Sequence, residues 1–563
     1  MAGMARFQWA KALVATLATL TAAEQPNILF VLTDDQDWHM QSLDYMPLLH
    51  KHMINEGTLY DGHYCTVAVC CPSRVNLWTG KAAHTTNVTD LFPPYGGYPK
   101  FVEEGLNEDW FPVSMQQLGY NTYYTGKLFN AHNVDNYNAP YVKGFNGSDF
   151  LLDPYTYEYY RAHMTRNGAP PVSYEGQHSP DVVADKAYDF LDEATSHPEP
   201  WFLAVAPIAP HSDVRFVQPS QFNMAKYAPR HAHLFKDYKI PRTADFNPDV
   251  PSGVGWVREL PQFYTTDNGY HISQHRMHPG KECPYETDIH IPLVVRGPGI
   301  PAGHTAGVVS SHTDLAPTML KLAGRDRPDL DGTPIPLDAE SLASPKSGEH
   351  VNVEFSGRAI PEGKYGKIGN DTLPEIGGQP TLARNNTYKA LRVIGEGYSL
   401  LYTVWCTGDR EYYDLNSRSP PPDSQLILHL QRDPDEMRNY LGEDDAALTA
   451  NYSLGGRSFE QVLGRLDALL MVLKSCKSAS CHKPWTVLHP GGNIATLQDA
   501  LHDSFDAFYA KQPKVGFSSC QLGYLIGEEG PQHANAWENE AVRGLLGGKQ
   551  QSFQYYGDPS LWT

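Results

Sequence analysis

The sequence has no basic run, few cysteines for its length and no apolar segment long enough to cross a bilayer. Each scarcity excludes a class of protein. The chain carries 44 Lys and Arg against 64 Asp and Glu, a formal net charge of −20, with the acids spread along its length. That balance argues against nucleic acid or an anionic membrane as a partner. Eight cysteines in 563 residues are too few for a disulfide scaffold. Cys476 and Cys481 are spaced to close a small loop, and the sequence leaves the other pairings open. The apolar run at residues 12–20 is too short to span a membrane. With Arg6 and Lys11 ahead of it and small residues at 21–23, it reads as a secretory signal over 1–23. No internal repeat is visible.

What is present points to a folded, exported protein. Apolar residues make up 41% of the chain, as in globular proteins, and the length calls for a large domain and a smaller one. Asn87, Asn146, Asn370, Asn385 and Asn451 each begin an Asn-x-Ser/Thr acceptor, which fits a secreted or lumenal glycoprotein.

Strands and helices alternate along the first two thirds. Residues 27–33 are a continuous apolar, β-branched run, which predicts a strand buried on both faces. The run ends in Asp34 and Asp35, where open α/β sheets place their ligands, although a solvated acidic turn reads the same way. Asp37 reads as part of that turn. A helix is predicted over 45–55, a strand over 58–65, and a strand over 119–127 that delivers Lys127 at its end. A helix over 179–195 leads into a buried strand at 201–207 and then Ala209-Pro210-His211. Asp267-Asn268-Gly269 makes an ordinary turn on its own. Lys281, Tyr285 and Glu286 precede a strand near 291–299, and 312–324 reads as a helix. The stretch 338–378, rich in Gly, Pro, Ser and charge, predicts a surface crossover with little secondary structure. Beyond it, 387–394, 398–406 and 411–415 alternate like strands, and 458–474 and 496–510 have helical spacing. The expected organisation is a signal over 1–23, a main domain over 24–378, a small antiparallel sheet domain over 379–450 and a helical tail over 451–563.

One stretch organises the rest. Cys70-Cys71-Pro72-Ser73-Arg74, continuing to Thr79-Gly80, reads as a turn entering a helix. Pro72 sits where a missing N–H costs nothing. Cys70 lies just ahead, where free backbone N–H groups favour negative charge. Arg74 is one turn further and can fold back beside it. A lone Cys-Pro pair there is more often a buried cysteine. The full string resembles the signature of the sulfatase family, in which the first cysteine is oxidised to formylglycine (3-oxoalanine) and becomes the nucleophile.

The resemblance spans roughly residues 27 to 440. It implies an alkaline-phosphatase-like α/β fold: a large mixed, mostly parallel sheet sandwiched by helices, with a smaller C-terminal α+β domain. It also implies a cation held by Asp34, Asp35, Asp267, Asn268 and the oxygen of converted Cys70. Such hard oxygen donors favour Ca²⁺, with Mg²⁺ second, and disfavour Zn²⁺. An acidic protein acting on a sulfate ester must gather positive charge locally, and the resemblance supplies Arg74, Lys127, His211 and Lys281. Asp267 would take the proton of the attacking hydroxyl, and His211 or Lys281 would protonate the departing alcohol. A formylglycine-generating enzyme would act during maturation.

Two departures stand out. Phe129 replaces the histidine that many members carry two residues after the strand lysine, and Asn130 follows it. This Lys-x-x-Asn variant is similar to fungal arylsulfatases and glucosamine-6-sulfatases. His84 is a candidate substitute base, with a structural histidine as the alternative. Members also carry a long helix and an apolar strand before Asp-Asn-Gly, whereas here residues 255–261 run directly into 262–264 with Pro261 at the start of a strand stub. Either a segment has been lost from the gene model or the chain is a shortened variant. The expected activity is hydrolysis of aryl sulfates. The alternatives are a glucosamine-6-sulfatase-like glycan sulfatase, a phosphonate or phosphodiester hydrolase of the same superfamily, or an inactive sulfated-glycan binding protein.

Overall fold

The computed structural model describes residues 25–537 apart from 218–219, 236, 240, 249–252, 255–270, 273, 278, 344–347, 361–366, 369–370, 373–374, 377–378, 381–384, 417–432, 443–448 and 451. The predicted signal at 1–23, the Asp267-Asn268 turn, and the acceptors Asn370 and Asn451 therefore lie outside the described residues.

The main sheet has six strands. We label, in chain order, β1 (Ile28–Val31), β2 (Thr58–Tyr60), β3 (Asn121–Gly126), β4 (Gly147–Leu151), β5 (His163–Arg166), β6 (Val172–Ser173) and β7 (Trp201–Ala206). The main sheet runs β1-β7-β3-β4-β5-β6. The first four strands in that order are parallel, and β5 and β6 add on antiparallel. Parallel strands need crossovers, and helix α1 (Cys70–Thr79) and helix α2 (Ser179–Thr195) lie within two of them. In register, Ala204 of β7 sits between Phe30 of β1 and Tyr124 of β3. Trp78 of α1 packs across these rings, 5.3 Å from Phe30 and 5.9 Å from Tyr124. On α2 the residues at helical spacing, Val182, Val183, Phe190 and Ala194, are buried, and Phe190 packs 5.4 Å from Tyr123.

One expectation fails on β1. The strand is not buried on both faces: Leu29 and Val31 are 57% and 61% exposed. The apolar run forms the strand, but the face opposite α1 looks into a cavity of about 580 Å³ lined also by Met46, Met53 and Leu293.

A second, three-stranded sheet holds β2 between β8 (Leu293–Val295) and β9 (His304–Ala306), with the short helix α3 (Glu286–Ile289) just before β8. The helix expected over 312–324 forms as a 3₁₀ turn followed by α4 (Leu315–Leu322).

The third sheet is antiparallel, in the order β10 (His350–Phe355), β11 (Tyr388–Gly395), β12 (Tyr398–Trp405), β13 (Arg410–Asp414). The last three match the predicted strands to within about a residue at most ends. β10 corrects the reading of 338–378 as mere crossover, since all six of its residues pair with β11. Helix α5 (Phe459–Leu473) starts at a Ser458/Gln461 capping box and packs Val462, Leu466 and Leu469 into the core formed by Leu391, Tyr402 and Tyr412. The tail thus covers one face of this sheet. Disulfides join Cys476 to Cys481, as the spacing predicts, and Cys406 to Cys520; Cys65, Cys70, Cys71 and Cys283 are free and buried. Among the described residues no helix is long and apolar enough to cross a membrane.

Candidate active site

The sheet's carboxyl edge assembles the predicted residues. β1 and β7 stay in step past their ends, with Leu32 N donating to Val205 O (2.9 Å) and Asp34 N to Ala209 O (3.2 Å). Asp34 and His211 therefore leave adjacent strands at one level. Asp35 takes a left-handed backbone (φ 65°), uncommon for a residue other than glycine. At the end of β3, a Cβ on Gly126 would lie 2.0 Å from Ala206 O, so only glycine lets β3 approach β7 and present Lys127 here. Helix α1 enters from the side with Cys70 in its first turn. Pro72 is inside the helix, and Ser73 N donates to Val69 O at 3.1 Å.

The charged groups converge. Lys127 Nζ donates to Asp34 Oδ2 at 2.6 Å, and Arg74 Nη2 lies 3.3 Å from Asp34 Oδ1. Arg74 Nη1 donates to Lys127 O at 2.8 Å. Lys281 Nζ contacts both oxygens of Asp35 at 2.7 Å, and His211 Nε2 is 3.5 Å from Asp35 Oδ2. Cys70 Sγ faces Asp34 Oδ1 at 3.7 Å. Donor atoms of Asp34, Cys70 and His211 all lie within 4.8 Å of one another. All of these residues except Asp35 and Lys281 are under 5% exposed or, for Cys70, 9%.

Burial alone would keep Asp34 protonated, but Lys127, Arg74, His211 and Lys281 hold its carboxyl far below the usual range, so it stays ionised. Burial also pushes the Cys70 thiol up, and Lys127 and Lys281 more than offset this, leaving it below its ordinary value. For His211, burial favours the neutral ring, yet Asp35 raises its pKa above the ordinary value. Its Nδ1 faces Ser212 O at 2.8 Å. Because a carbonyl only accepts, that nitrogen carries a proton.

Three permanent cations and a histidine thus surround two carboxylates, an excess of positive charge suited to an anionic tetrahedral group. The adjacent carboxylates beside Cys70 have the oxygen chemistry a hard divalent cation requires. Asp34, Asp35, Cys70, Arg74, Lys127, His211 and Lys281 are brought together; Asp267 and Asn268 lie outside the described residues.

Tyr157 was not anticipated. Its ring stacks on His211 at 4.2 Å and lies under Lys127 Nζ at 4.5 Å, while its hydroxyl accepts from Asn130 Nδ2 at 2.8 Å. Asn130 of the Lys-x-x-Asn variant therefore acts on the site through Tyr157, and Phe129 packs into the core against Phe101. The only signal was the tyrosine-rich run at 155–160. His84 is structural: its Nδ1 bonds Glu354 Oε1 at 2.8 Å and its Nε2 bonds Cys476 O at 2.7 Å, so both ring nitrogens are used.

Residues 26–245 and 263–325 match the sequence profile of the sulfatase family. The break in the match, residues 246–262, contains the stretch that departs from the family pattern in sequence. An arylsulfatase of Volvox carteri is 33% identical over 90% of this chain and 83% of its own length. Human N-acetylglucosamine-6-sulfatase is 27% identical over 83% of this chain and 87% of its own. A protein solved with its substrate D-glucosamine-2-N,6-O-disulfate shares the fold, with a TM-score of 0.53 and 18% identity over 75% of this chain and 94% of that one. With the profile spanning half the chain and a relative aligned over nine tenths of it, the chain belongs to the sulfatase family and is a sulfuric ester hydrolase.

Proposed function

We propose that the chain is a secreted arylsulfatase that hydrolyses aryl sulfate monoesters through formylglycine formed at Cys70, with Ca²⁺ at the site. The observation that carries this reading is the gathering of Arg74, Lys127, His211 and Lys281 around Cys70 in a protein of net charge −20. Formylglycine, when hydrated, supplies a hydroxyl nucleophile that a cysteine side chain lacks. Asp34 and Asp35 would hold the cation together with Asp267 and Asn268, and the ion would offset charge building on the sulfate oxygens. Arg74 fixes the orientation of the nucleophile's turn by bonding Lys127 O across to β3. Lys127 and Lys281 neutralise the sulfate. His211, with Nδ1–H held by Ser212 O and a raised pKa, would carry its second proton on Nε2, 3.5 Å from Asp35 Oδ2, and would give that Nε2 proton to the departing phenol oxygen. The two disulfides fit an oxidising, secretory compartment.

The human relative supports a second reading, a glycan 6-O-sulfatase. The test is to examine the Cys70 peptide by mass spectrometry and to measure turnover of 4-nitrophenyl sulfate, a 4-nitrophenyl phosphodiester and glucosamine-6-sulfate side by side. The proposal expects the aldehyde at Cys70, fastest turnover of the aryl sulfate, and loss of activity on calcium chelation that Ca²⁺ restores. An unmodified cysteine in active protein overturns the formylglycine reading. Preference for the sugar sulfate selects the second reading. Restoration by Mg²⁺ but not Ca²⁺ overturns the choice of ion.

A further inference from the structure

Beyond the reaction centre, His39, Glu286 and His290 converge where the turn after β1 meets the end of α3, with Asp37 beside His39. His39 Nδ1 lies 3.5 Å from Asp37 Oδ1, and His290 Nδ1 lies 3.4 Å from Glu286 Oε2. His39, Glu286 and His290 each offer a donor atom within 4.8 Å of the others, and the two imidazoles meet edge to face at 5.5 Å. These spacings are too long for good hydrogen bonds. The His290–Glu286 spacing suits another geometry: donors about 2.1 Å from a tetrahedral ion stand about 3.4 Å apart.

The outer contacts of the cluster point the same way. His290 Nε2 faces Asp61 O at 2.7 Å, so that nitrogen carries the proton and Nδ1 keeps its lone pair toward Glu286. Glu286 Oε1 is held by Arg392 Nε at 2.6 Å, and Asp37 Oδ2 accepts from Met40 N at 2.5 Å. His290 and Glu286 therefore each have one polar atom anchored and the other turned inward, the pattern of ligands oriented by outer partners. Asp37 Oδ1, His39 Nδ1 and His290 Nδ1 are buried without a hydrogen-bond partner, which is costly unless something else satisfies them. The Asp37 side chain is only 1% exposed.

We propose that His39, Glu286 and His290 form a zinc site that ties the turn after β1 to the end of α3. Two imidazoles and a carboxylate suit Zn²⁺, and the nitrogen donors disfavour Ca²⁺. Three positions come from the protein, and water completes the tetrahedron. His39, whose side chain is 26% exposed, is the entry side. Asp37, read from sequence as an acidic turn, lies beside His39 and orients its ring. The site steadies the loop that carries Asp34 and Asp35 without touching substrate.

The test uses the full chain, stripped with chelator and dialysed against Zn²⁺ alone, with bound metal measured by mass spectrometry. The expected result is one more Zn²⁺ equivalent in the wild type than in His39→Gln or His290→Asn, and no loss of that equivalent in Asp34→Asn. Each histidine variant should weaken binding by more than about 100-fold, above the 10–100-fold that outer partners carry. If His290→Asn does not fold, the more exposed His39→Gln carries the test. Co²⁺ in place of Zn²⁺ should give tetrahedral visible bands without a sulfur charge-transfer band in the near ultraviolet. Equal zinc content in wild type and His39→Gln, loss of the equivalent in Asp34→Asn, or a strong sulfur band each overturns the proposal.

Discussion

On one face of β1, Phe30 packs against Trp78 and, through it, the helix that carries Cys70. On the other, Leu29 and Val31 stand 57% and 61% exposed at a cavity whose lining extends to Asp34, Cys70 and Lys281. Four residues of one strand thus have opposite surroundings. The covered face leads directly to the cations: Arg74 and Lys127 meet Asp34 just past the end of the strand. The nucleophile, Arg74, Lys127 and His211 rest on α1 and the ends of β3 and β7, and Lys281 joins them from the segment ahead of α3.

The largest effects should come from the covered side. Cys70→Ala should lower kcat/KM for an aryl sulfate on the order of 10⁶-fold, as loss of a nucleophile does elsewhere. Lys127→Met should lower it by about 10²–10³, the size of one charge-stabilising donor. Retained activity in either would break the assignment of the reaction to this wall. Thermal melts of both variants, read beside the kinetics, separate lost chemistry from lost fold.

The loop after α1 has a brace of its own. Glu354 of β10 meets His84 Nδ1 at 2.8 Å and Lys389 Nζ at 2.5 Å, all buried. Burial would raise the Glu354 pKa, but His84 and Lys389 hold it far below the usual range. Burial would lower that of His84, and Glu354 raises it instead. The signs follow from linkage. The Glu354 contribution is present above its unfolded value of 4.5 and is lost as pH falls toward the folded one. The His84 contribution is complete below 6.5 and is lost as pH rises through its raised folded value. Stability should therefore be greatest between these limits and decline on both sides. Glu354→Gln should flatten both limbs and cost about 3–5 kcal/mol, as breaking a buried pair does. Chemical denaturation across pH 3–9 checks this, and unchanged limbs would mean the brace does not reach α1.

Most of this architecture was legible where local pattern and tertiary role agree. Apolar runs that end in a charged residue gave β1, β3 and β7 with Asp34, Lys127 and His211 at their ends, and helical spacing gave α2 with its bounds. β10 was hidden because it lies within a stretch rich in Gly, Pro, Ser and charge, and its partner β11 is remote in sequence. Tyr157 was hidden because its role comes from Asn130, Lys127 and His211, which only folding brings to it. The open face of β1 could not be read from the strand itself, since a continuous apolar run looks the same whether or not a helix covers it.

The smallest effect tests the comparison most directly, because it sets neighbouring residues of one strand against each other. Phe30, in contact with Trp78, should cost about 2–3 kcal/mol on truncation to Ala, below the 3–5 kcal/mol of a fully buried ring because it is only half-buried. Leu29→Ser changes a side chain already mostly in water and should cost under about 0.5 kcal/mol, as surface substitutions do. It should also reduce binding of an apolar dye if the cavity beneath Leu29 is open. Both variants keep the backbone pairing with β7, where Leu29 faces Leu203 and Phe30 faces Ala204, so the difference isolates the cover on each face. Equal costs would mean that both faces of β1 are covered in solution and that the side opposite α1 is as complete as the one beneath it.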